Sequence, residues 1–384
     1  MQAANANELA QLLGESGLEL IEAKQQNAKT ETLRRERRGR VPLAQLIALC
    51  GQLEDLLRAG LPFPAALQTV AQALPSGPLR EQITAIQRSI QHGISLSASF
   101  GQHPQSFGPV FRAILAAGEG SGDLAATFAQ LAQQLRWQSA LQEQIRRAVR
   151  YPLFLVGVAV AVMAFMMTMV VPQIVTLLES LSADLPLFTR LLIGVSRLFA
   201  AGWWMALLAF AMAALLVALA RRASNDVARR TDGWILRTPG LGPVLRKLSV
   251  ARFARSLTAL LQSGVDLPSS LALASGVLGN RHLIAIVEAA QAQVQSGQAL
   301  SAATAALFPP FVLPMIRVGE QSGQLAKTLH EVSRACDSEA QAAVSRFLGT
   351  LEPALTLLVG ALLAWVVLAV LGPVYGSLGR LSGG

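Results

Sequence analysis

Two glycine-rich segments of the chain carry residue types that could bind phosphate. Residues 118–124 read Gly-Glu-Gly-Ser-Gly-Asp-Leu, and residues 319–325 read Gly-Glu-Gln-Ser-Gly-Gln-Leu. Clustered glycines allow backbone N–H groups to approach an anion. However, the chain contains no Gly-Lys-Ser/Thr sequence, and the second segment lacks the middle glycine. The pattern therefore predicts structural turns between helices, formed by Gly118, Gly122, Gly319 and Gly323.

Each segment also contains a glutamate, Glu119 in the first and Glu320 in the second. A turn that glycines already hold does not need a carboxylate, so these glutamates are candidate functional residues. One hypothesis is that they accept hydrogen bonds from exposed N–H groups at a helix start. The other is that they contact a partner protein or a cation. Ser121 or Asp123 is expected to cap the helix that follows the first turn.

The sequence does not indicate catalytic or metal-binding chemistry. The four histidines have no spacing typical of metal ligands, and Cys50 and Cys336 are far apart in the chain. The nucleophile-elbow pattern G-x-S-x-G is also absent from the sequence. We therefore predict no catalytic residue, no cofactor and no metal, in a protein that is not an enzyme.

The composition indicates a membrane protein. Hydrophobic residues make up 52% and charged residues 14% of the 384 residues, and the mean hydropathy is +0.45. Three uncharged runs, residues 152–178, 198–220 and 353–379, each exceed the roughly 20 residues that cross a bilayer core. None contains an ionisable side chain of the kind that ion-coupled carriers place near the midplane. A stand-alone transporter is therefore disfavoured.

Charge asymmetry predicts how these spans are oriented. Within 20 residues of the span ends, eleven Lys or Arg residues lie on the side of the amino terminus and three on the opposite side. By the positive-inside rule, the amino terminus is cytoplasmic and the carboxyl terminus is periplasmic. The net charge of +9 is thus largely a topology signal, and we predict no nucleic-acid partner. Glutamines and the pair Pro309-Pro310 exclude the uncharged residues 289–313 as a span, so we expect core helices there.

The chain is internally duplicated. Residues 56–67 match residues 260–271 at an offset of 204 in the pattern Leu-Leu-x-x-Gly-x-x-x-Pro-x-x-Leu, and the two glycine-rich turns match at an offset of 201. The unit that repeats is therefore predicted to be a cytoplasmic domain followed by a span, with the middle span returning the chain to the cytoplasm.

Leucines such as Leu46, Leu49 and Leu53 recur at helical spacing in these domains. We therefore predict an all-α integral membrane protein with two duplicated cytoplasmic bundles of about six helices each and three transmembrane helices. The predicted order is an N-terminal segment and basic linker (1–40), the first bundle (41–151), the first span (152–178), a periplasmic loop (179–197), the second span (198–220), the second bundle (221–352), the third span (353–379) and a periplasmic tail (380–384).

Four prolines mark the first and third spans at equivalent positions. Pro152 and Pro353 stand at the cytoplasmic start of these spans, where a proline in the first helical turn costs little. Pro172 and Pro373 are predicted to kink the same spans. Membrane helices nevertheless tolerate proline more often than soluble helices do, and repetition alone would preserve the matched placement.

The basic segment of residues 24–40 contains five arginines and few apolar residues. Such charge runs are typical of a solvated linker. Contact with anionic lipid headgroups is the alternative.

The doubled Leu-Leu motif, the doubled Gly-Glu-x-Ser-Gly-x-Leu turn, and the pairs Tyr151-Pro152 and Glu352-Pro353 resemble those of the inner-membrane platform proteins of type II secretion and type IV pilus machines, the GspF/PilC family. The resemblance covers about residues 43–378. The aromatic residue and the arginine that precede the Leu-Leu pair in this family correspond to Phe253 and Arg255 in the second copy, and to Leu49 and Gly51 in the first.

The resemblance implies a non-enzymatic, multi-pass scaffold of the bacterial inner membrane. Its expected partners are a cytoplasmic secretion ATPase, pilin or pseudopilin subunits, other inner-membrane assembly proteins and membrane lipid. The small membrane footprint also favours a homo-oligomer. The alternative function, from a different class, is a membrane component of a solute carrier complex, for which the uncharged spans predict no solute flux through the chain alone.

Overall fold

The computed structural model describes residues 41–166 and 225–381, together with isolated positions among residues 169–221. Every regular element in this described part is helical, as the apolar spacing predicted. The described residues form two compact units, 41–108 and 109–381. The predicted N-terminal segment (1–40), the periplasmic loop (179–197) and most of the second span (198–220) lie outside the described residues.

The smaller unit consists of helices at the start of the first predicted bundle: α1 (Leu43–Arg58), α2 (Phe63–Ala73), α3 (Pro78–Gln91) and α4 (Leu96–Gly101). The predicted stripe on α1 is buried, with Leu49 and Leu53 fully so. Phe100 of α4 packs edge to face with Phe107, their ring centroids 4.8 Å apart. Burial of these apolar side chains, each contributing about 1.5–3 kcal/mol, is the main stabilising term in this unit.

The larger unit contains α5 (Pro109–Ser121), α6 (Leu124–Phe165), α7 (Asn225–Arg237), α8 (Leu241–Gln262), α9 (Leu267–Ser275), α10 (Arg281–Gln295), α11 (Leu300–Ala303), a 3-10 helix (Pro310–Val312), α12 (Leu313–Gln321) and α13 (Leu325–Leu381). The longest shared surface is between α8 and α13. Phe253 and Leu257 of α8 and Leu329 of α13 are all fully buried. The core of this unit therefore lies along that helix pair.

Helices α8 to α13 follow the same order as α1 to α6. The Leu-Leu motif lies in α1 and in α8, and a glycine-rich turn follows α5 and again α12. The boundary between the compact units falls after Gly108, inside the predicted first bundle (41–151), so that α5 and α6 belong to the larger unit. The uncharged residues 289–313 are divided among α10, α11 and the 3-10 helix, and they contain no helix long enough to span a membrane.

Among the described residues, two helices are long and apolar enough to cross a membrane, Leu124–Phe165 and the Leu325–Ala361 part of α13. Their apolar side chains point outward: Leu153 is 68% exposed, Phe154 70% and Leu357 74%. Water would penalise this much exposed apolar surface, whereas lipid would not. Both helices therefore suit a lipid environment over their apolar parts.

The predicted placement of Pro152 and Pro353 in the first turn of a helix is wrong. Both lie inside continuous helices, α6 and α13. Each proline lacks an N–H, so the carbonyl group four residues earlier loses its intrahelical partner. The prediction failed because it treated the bundle helix and the span helix as separate elements. Pro373 also lies within α13, Pro172 lies outside the described residues, and the kinks stay predictions.

Candidate functional site

The two glycine-rich segments lie at the junctions of α5 with α6 and of α12 with α13, and only residues 122–123 and 322–324 form the turns between these helices. The predicted turn role therefore applies to Gly122 and Gly323, whereas Gly118 and Gly319 lie inside α5 and α12. Gly122 and Gly323 have φ values of +78° and +69°. Glycine adopts this left-handed conformation without the steric cost that a Cβ adds. Thus the last glycine of each motif reverses the chain at the end of a helix.

The carboxylate of Glu320 lies at the start of α11. Its Oε2 accepts a hydrogen bond from the Ser301 N–H at 3.1 Å, and its Oε1 accepts one from the Leu300 N–H. The first N–H groups of a helix have no partner within the helix, and a negative charge is favourable there. Glu320 thereby ties α12 to α11, the first of the two roles that the sequence left open. A contact with a partner protein or a cation stays a prediction.

Asp123 caps α6 after the first turn. Its Oδ1 accepts a hydrogen bond from the Ala126 N–H at 2.9 Å. Ser121, the other candidate cap, instead donates its hydroxyl to the carbonyl of Gly118 at 3.2 Å. Glu119 lies half-buried in α5.

Gly118 and Gly319, the first glycines of the two motifs, allow the next helix to pack closely. A Cβ atom at Gly118 would overlap Oγ1 of Thr127, and one at Gly319 would lie 2.7 Å from Oγ1 of Thr328. Both separations are far below van der Waals contact, so neither site has room for a methyl group. A Cβ atom at Gly120, two residues from Gly118, would meet no atom of the neighbouring elements within 4 Å.

Helix α6 contacts α8 through polar side chains. Gln130 donates from Nε2 to the carbonyl of Ala259 at 2.7 Å, and its Oε1 accepts from the Ser263 hydroxyl at 2.8 Å. One turn later, Gln134 donates to the hydroxyl of Ser256 at 3.3 Å. We call this contact the polar seam, defined by Gln130, Gln134 and Trp137 of α6 with Arg255, Ser256 and Ser263 of α8. The three α6 residues are spaced i, i+4, i+7 and therefore share one helix face.

At one end of the polar seam, Trp137, Arg255 and Asp337 join α6, α8 and α13. The Arg255 guanidinium lies 5.7 Å from the centroid of the Trp137 ring, in cation–π range. Its Nη1 is 3.9 Å from Oδ2 of Asp337. Oδ1 of Asp337 is buried and has no hydrogen-bond partner within the described part of the chain. Burial raises the pKa of Asp337 from 3.8 to about 6, although the Arg255 charge and the Trp137 side chain act in the opposite direction.

Sequence reasoning found only one member of this cluster, Arg255, and only through the family resemblance. Trp137 and Asp337 were missed. Gln130, Gln134 and Trp137 recur at the spacing of a single face, but other polar residues such as Gln133, Arg136 and Gln138 lie among them, so this spacing did not distinguish the seam from a solvated face. Asp337 had no signal in the sequence, since its importance comes from its burial.

A cavity of about 350 Å³ lies against α8 and α13, with a largely apolar lining that includes Leu236, Pro243, Val250, Phe308, Pro309 and Pro310. Its charged groups Lys247 and Glu339 form an ion pair at 2.5 Å. Cys336 also lines the cavity, and burial, with smaller contributions from two acidic neighbours, raises the pKa of this thiol to about 12. A thiol with such a pKa is a poor nucleophile at neutral pH. The Cys336 thiol is therefore poorly suited to act as a nucleophile in this cavity.

The helices that carry the first and third predicted spans meet where those spans begin. The hydroxyl of Tyr151 in α6 donates to the Glu352 carboxylate in α13 at 3.5 Å. These two residues immediately precede Pro152 and Pro353 and occupy equivalent positions of the two repeats. The contact thus lies at the predicted cytoplasmic surface of the membrane.

Comparison with known proteins identifies relatives of the whole chain. A family model described as type II secretion system (T2SS), protein F, matches the chain twice, at residues 49–172 and 253–373. Type IV pilus assembly protein TapC of Aeromonas hydrophila is 32% identical over 86% of the chain and 81% of its own length. Type II secretion system protein F of Pseudomonas aeruginosa is 32% identical over 100% of the chain and 95% of its own length. Type IV pilus assembly protein PilC of Thermus thermophilus is 32% identical over 88% of the chain and 84% of its own length.

Alanine substitution tests the packing role of the first motif glycine. We expect Gly118→Ala to lower the free energy of unfolding by about 1–3 kcal/mol, because its methyl group would overlap Thr127. Gly120→Ala is the matched control in the same helix, where the methyl group meets no atom and helix propensity predicts a gain of up to about 1 kcal/mol. Thermal unfolding of the purified chain in detergent measures both. Equal stability of the two variants would contradict the close packing.

The buried carboxyl group of Asp337 predicts a specific pH dependence of stability. Because its folded-state pKa of about 6 exceeds its ordinary value of 3.8, the folded chain binds this proton more tightly than the unfolded chain. The contribution of Asp337 is therefore favourable at low pH and is lost as the pH rises through about 6, at up to about 1.4 kcal/mol per pH unit. We expect Asp337→Asn to remove this decrease in unfolding free energy with rising pH.

The measurement is the change in unfolding free energy between about pH 5 and about pH 7.5. Asp266→Asn is the control, because the Ser269 N–H lowers the pKa of Asp266 and this carboxyl group stays ionised over the whole range. A wild-type pH dependence that persists in Asp337→Asn would contradict the assignment.

Proposed function

Because the chain belongs to the type II secretion system protein F family, we propose that it couples a cytoplasmic secretion ATPase to the assembly of pilin or pseudopilin subunits. Its relatives are named for type II secretion and for type IV pilus assembly, so the chain is a platform protein of one of these two kinds of machine. In this proposal it is a non-enzymatic scaffold that works as a homo-oligomer with other inner-membrane assembly proteins.

The proposed topology has three spans, with the amino terminus and both bundles in the cytoplasm and the carboxyl terminus in the periplasm. The excess of Lys and Arg on one side of the spans supports this orientation. The two family matches begin 204 and end 201 residues apart, which are the offsets of the internal repeat. This agreement supports a duplicated unit of bundle and span.

The continuity of α6 is the observation that supports coupling most directly. With 42 residues, α6 is about 63 Å long at 1.5 Å per residue, and it runs from the polar seam to the apolar segment without a loop. The seam fixes its cytoplasmic half against α8, while its other half enters the proposed membrane region. A displacement of the helices around α8 would therefore be transmitted through α6 to the first predicted span.

Glu119 and Glu320 remain candidate partner contacts in this proposal. Both oxygens of Glu320 accept backbone hydrogen bonds from α11, so its replacement would change the shape of the bundle surface as well as its charge. The structural turn glycines would act on partner binding in the same indirect way.

Interrupting α6 tests the coupling role. We expect a Gly-Ser-Gly-Ser insertion after Gln144, between the polar seam and Pro152, to leave ATPase binding intact and to abolish secretion or piliation, because a flexible link cannot transmit displacement. The control carries the same insertion between Pro75 and Ser76, an exposed loop of the smaller unit, and should retain both properties. Binding is measured by pull-down of the cognate ATPase with the full-length chain. Normal secretion by the α6 insertion variant would refute the coupling proposal.

Cysteine labelling tests the topology. We expect a membrane-impermeant maleimide to label Ser382→Cys in intact spheroplasts and to label Gln298→Cys, at an exposed position of the second bundle, only after the membrane is permeabilised. The unmodified chain is the control, because Cys50 and Cys336 are both buried. Labelling of Gln298→Cys in intact spheroplasts would place that bundle outside the cytoplasm.

A further inference from the structure

Helix α7 is the first element after the second predicted span. It begins at Asn225, and the predicted span ends at residue 220. A chain of so few residues covers at most about 18 Å even when it is fully extended. The described positions near the end of the span, such as Met212 and Leu219, expose their apolar side chains. The start of α7 must therefore lie close to the proposed membrane surface.

An ion pair holds the rest of α7 near the same surface. The guanidinium group of Arg221, one residue beyond the predicted span, pairs with Oδ1 of Asp232 in α7. Asp232 is buried, and its Oδ2 accepts a hydrogen bond from the Arg281 N–H at the start of α10 at 2.8 Å. The Asp232 side chain therefore contacts the residue that follows the predicted span. It also binds the start of α10, which attaches α7 to the bundle at that point.

The opposite face of α7 is exposed and is mainly basic and apolar. Val227, Arg230, Trp234 and Arg237 are spaced i, i+3, i+7, i+10 and form one stripe, whereas the buried residues Ala228 and Asp232 lie on the other side. One acidic residue, Asp226, lies at the start of the stripe, and Arg237 also lines a cavity beside α10. Trp234 is 77% exposed. Within the described part of the chain, the ion pairs include neither Arg230 nor Arg237.

We propose that this outward face of α7 binds anionic phospholipid headgroups of the cytoplasmic leaflet, with Trp234 in the interfacial layer and Arg230 and Arg237 paired with lipid phosphates. Tryptophan prefers the interface because its ring is apolar while its N–H still needs a polar partner. Arginine pairs with phosphate through two parallel N–H donors. The inference rests on the proposed topology, which puts the cytoplasmic end of the second span beside α7.

Quenching by brominated lipid tests the position of Trp234. The full-length chain and its Trp234→Phe variant are placed in nanodiscs whose phospholipids carry bromine near the headgroup end of the acyl chains. The difference between the emission signals of the two proteins is the emission of Trp234. We expect this difference signal to be strongly quenched by the brominated phospholipid. If the difference signal is not quenched while the tryptophans of the predicted spans are, the lipid site is wrong but the topology stands. Trp234 would then face water or a protein partner. If none of the tryptophans is quenched, the topology and the lipid site are both wrong.

The headgroup preference is tested with the same difference signal. We expect brominated phosphatidylglycerol to quench Trp234 more than brominated phosphatidylcholine does in mixed nanodiscs. The double variant Arg230→Gln/Arg237→Gln, measured against its own Trp234→Phe counterpart, should lower this preference by about fivefold or more. Arg317→Gln, which removes another exposed arginine of the larger unit, should not change it. Equal quenching by both lipids in the wild-type chain, or an equal effect of Arg317→Gln, would overturn the proposed anionic selectivity.

Discussion

Helices α6 and α13 each have to satisfy two environments along a single continuous backbone. Their first halves pack in the larger unit, and their second halves present Leu153, Phe154 and Leu357 outward. In a continuous helix, the rotation of one half fixes which face the other half presents at every later position. The packing of the polar halves therefore determines how the apolar halves are oriented. The contact of Tyr151 with Glu352 lies where the two halves of each helix join.

The polar seam positions α6 more than it stabilises it. Each of its hydrogen bonds contributes about 0.5–1.5 kcal/mol net of the lost hydration. On the same helix, Phe128 and Leu131 are almost fully buried, and each such side chain contributes about 1.5–3 kcal/mol. An apolar contact tolerates small shifts along a helix, whereas the bonds from Gln130 and Gln134 form only at one register. Asp337 carries a cost instead, because its charged form is buried with one unpaired oxygen.

The sequence predicted the features of the fold that depend on local pattern. The helical class, the turns at Gly122 and Gly323 and the prediction of core helices rather than a span for residues 289–313 follow from apolar spacing, glycine conformation and proline placement. The continuity of α6 through Pro152 was not predicted, because the cost of a proline inside a helix can be offset by packing that local rules do not include. The joining of Trp137, Arg255 and Asp337 was also missed. These residues are far apart in sequence, and only the packing of three helices brings them together.

The contact between Tyr151 and Glu352 joins equivalent positions of two copies of one motif. Where two identical chains associate about a two-fold axis, each position near that axis meets its own counterpart, and the resulting interface is isologous. The contact of Tyr151 with Glu352 is one such meeting of equivalent positions within a single polypeptide. Each chain thus supplies its two proline-containing apolar helices, α6 and α13, as a pair. A ring or cluster of any number of these chains consequently contains an even number of such helices, whatever the symmetry of the assembly.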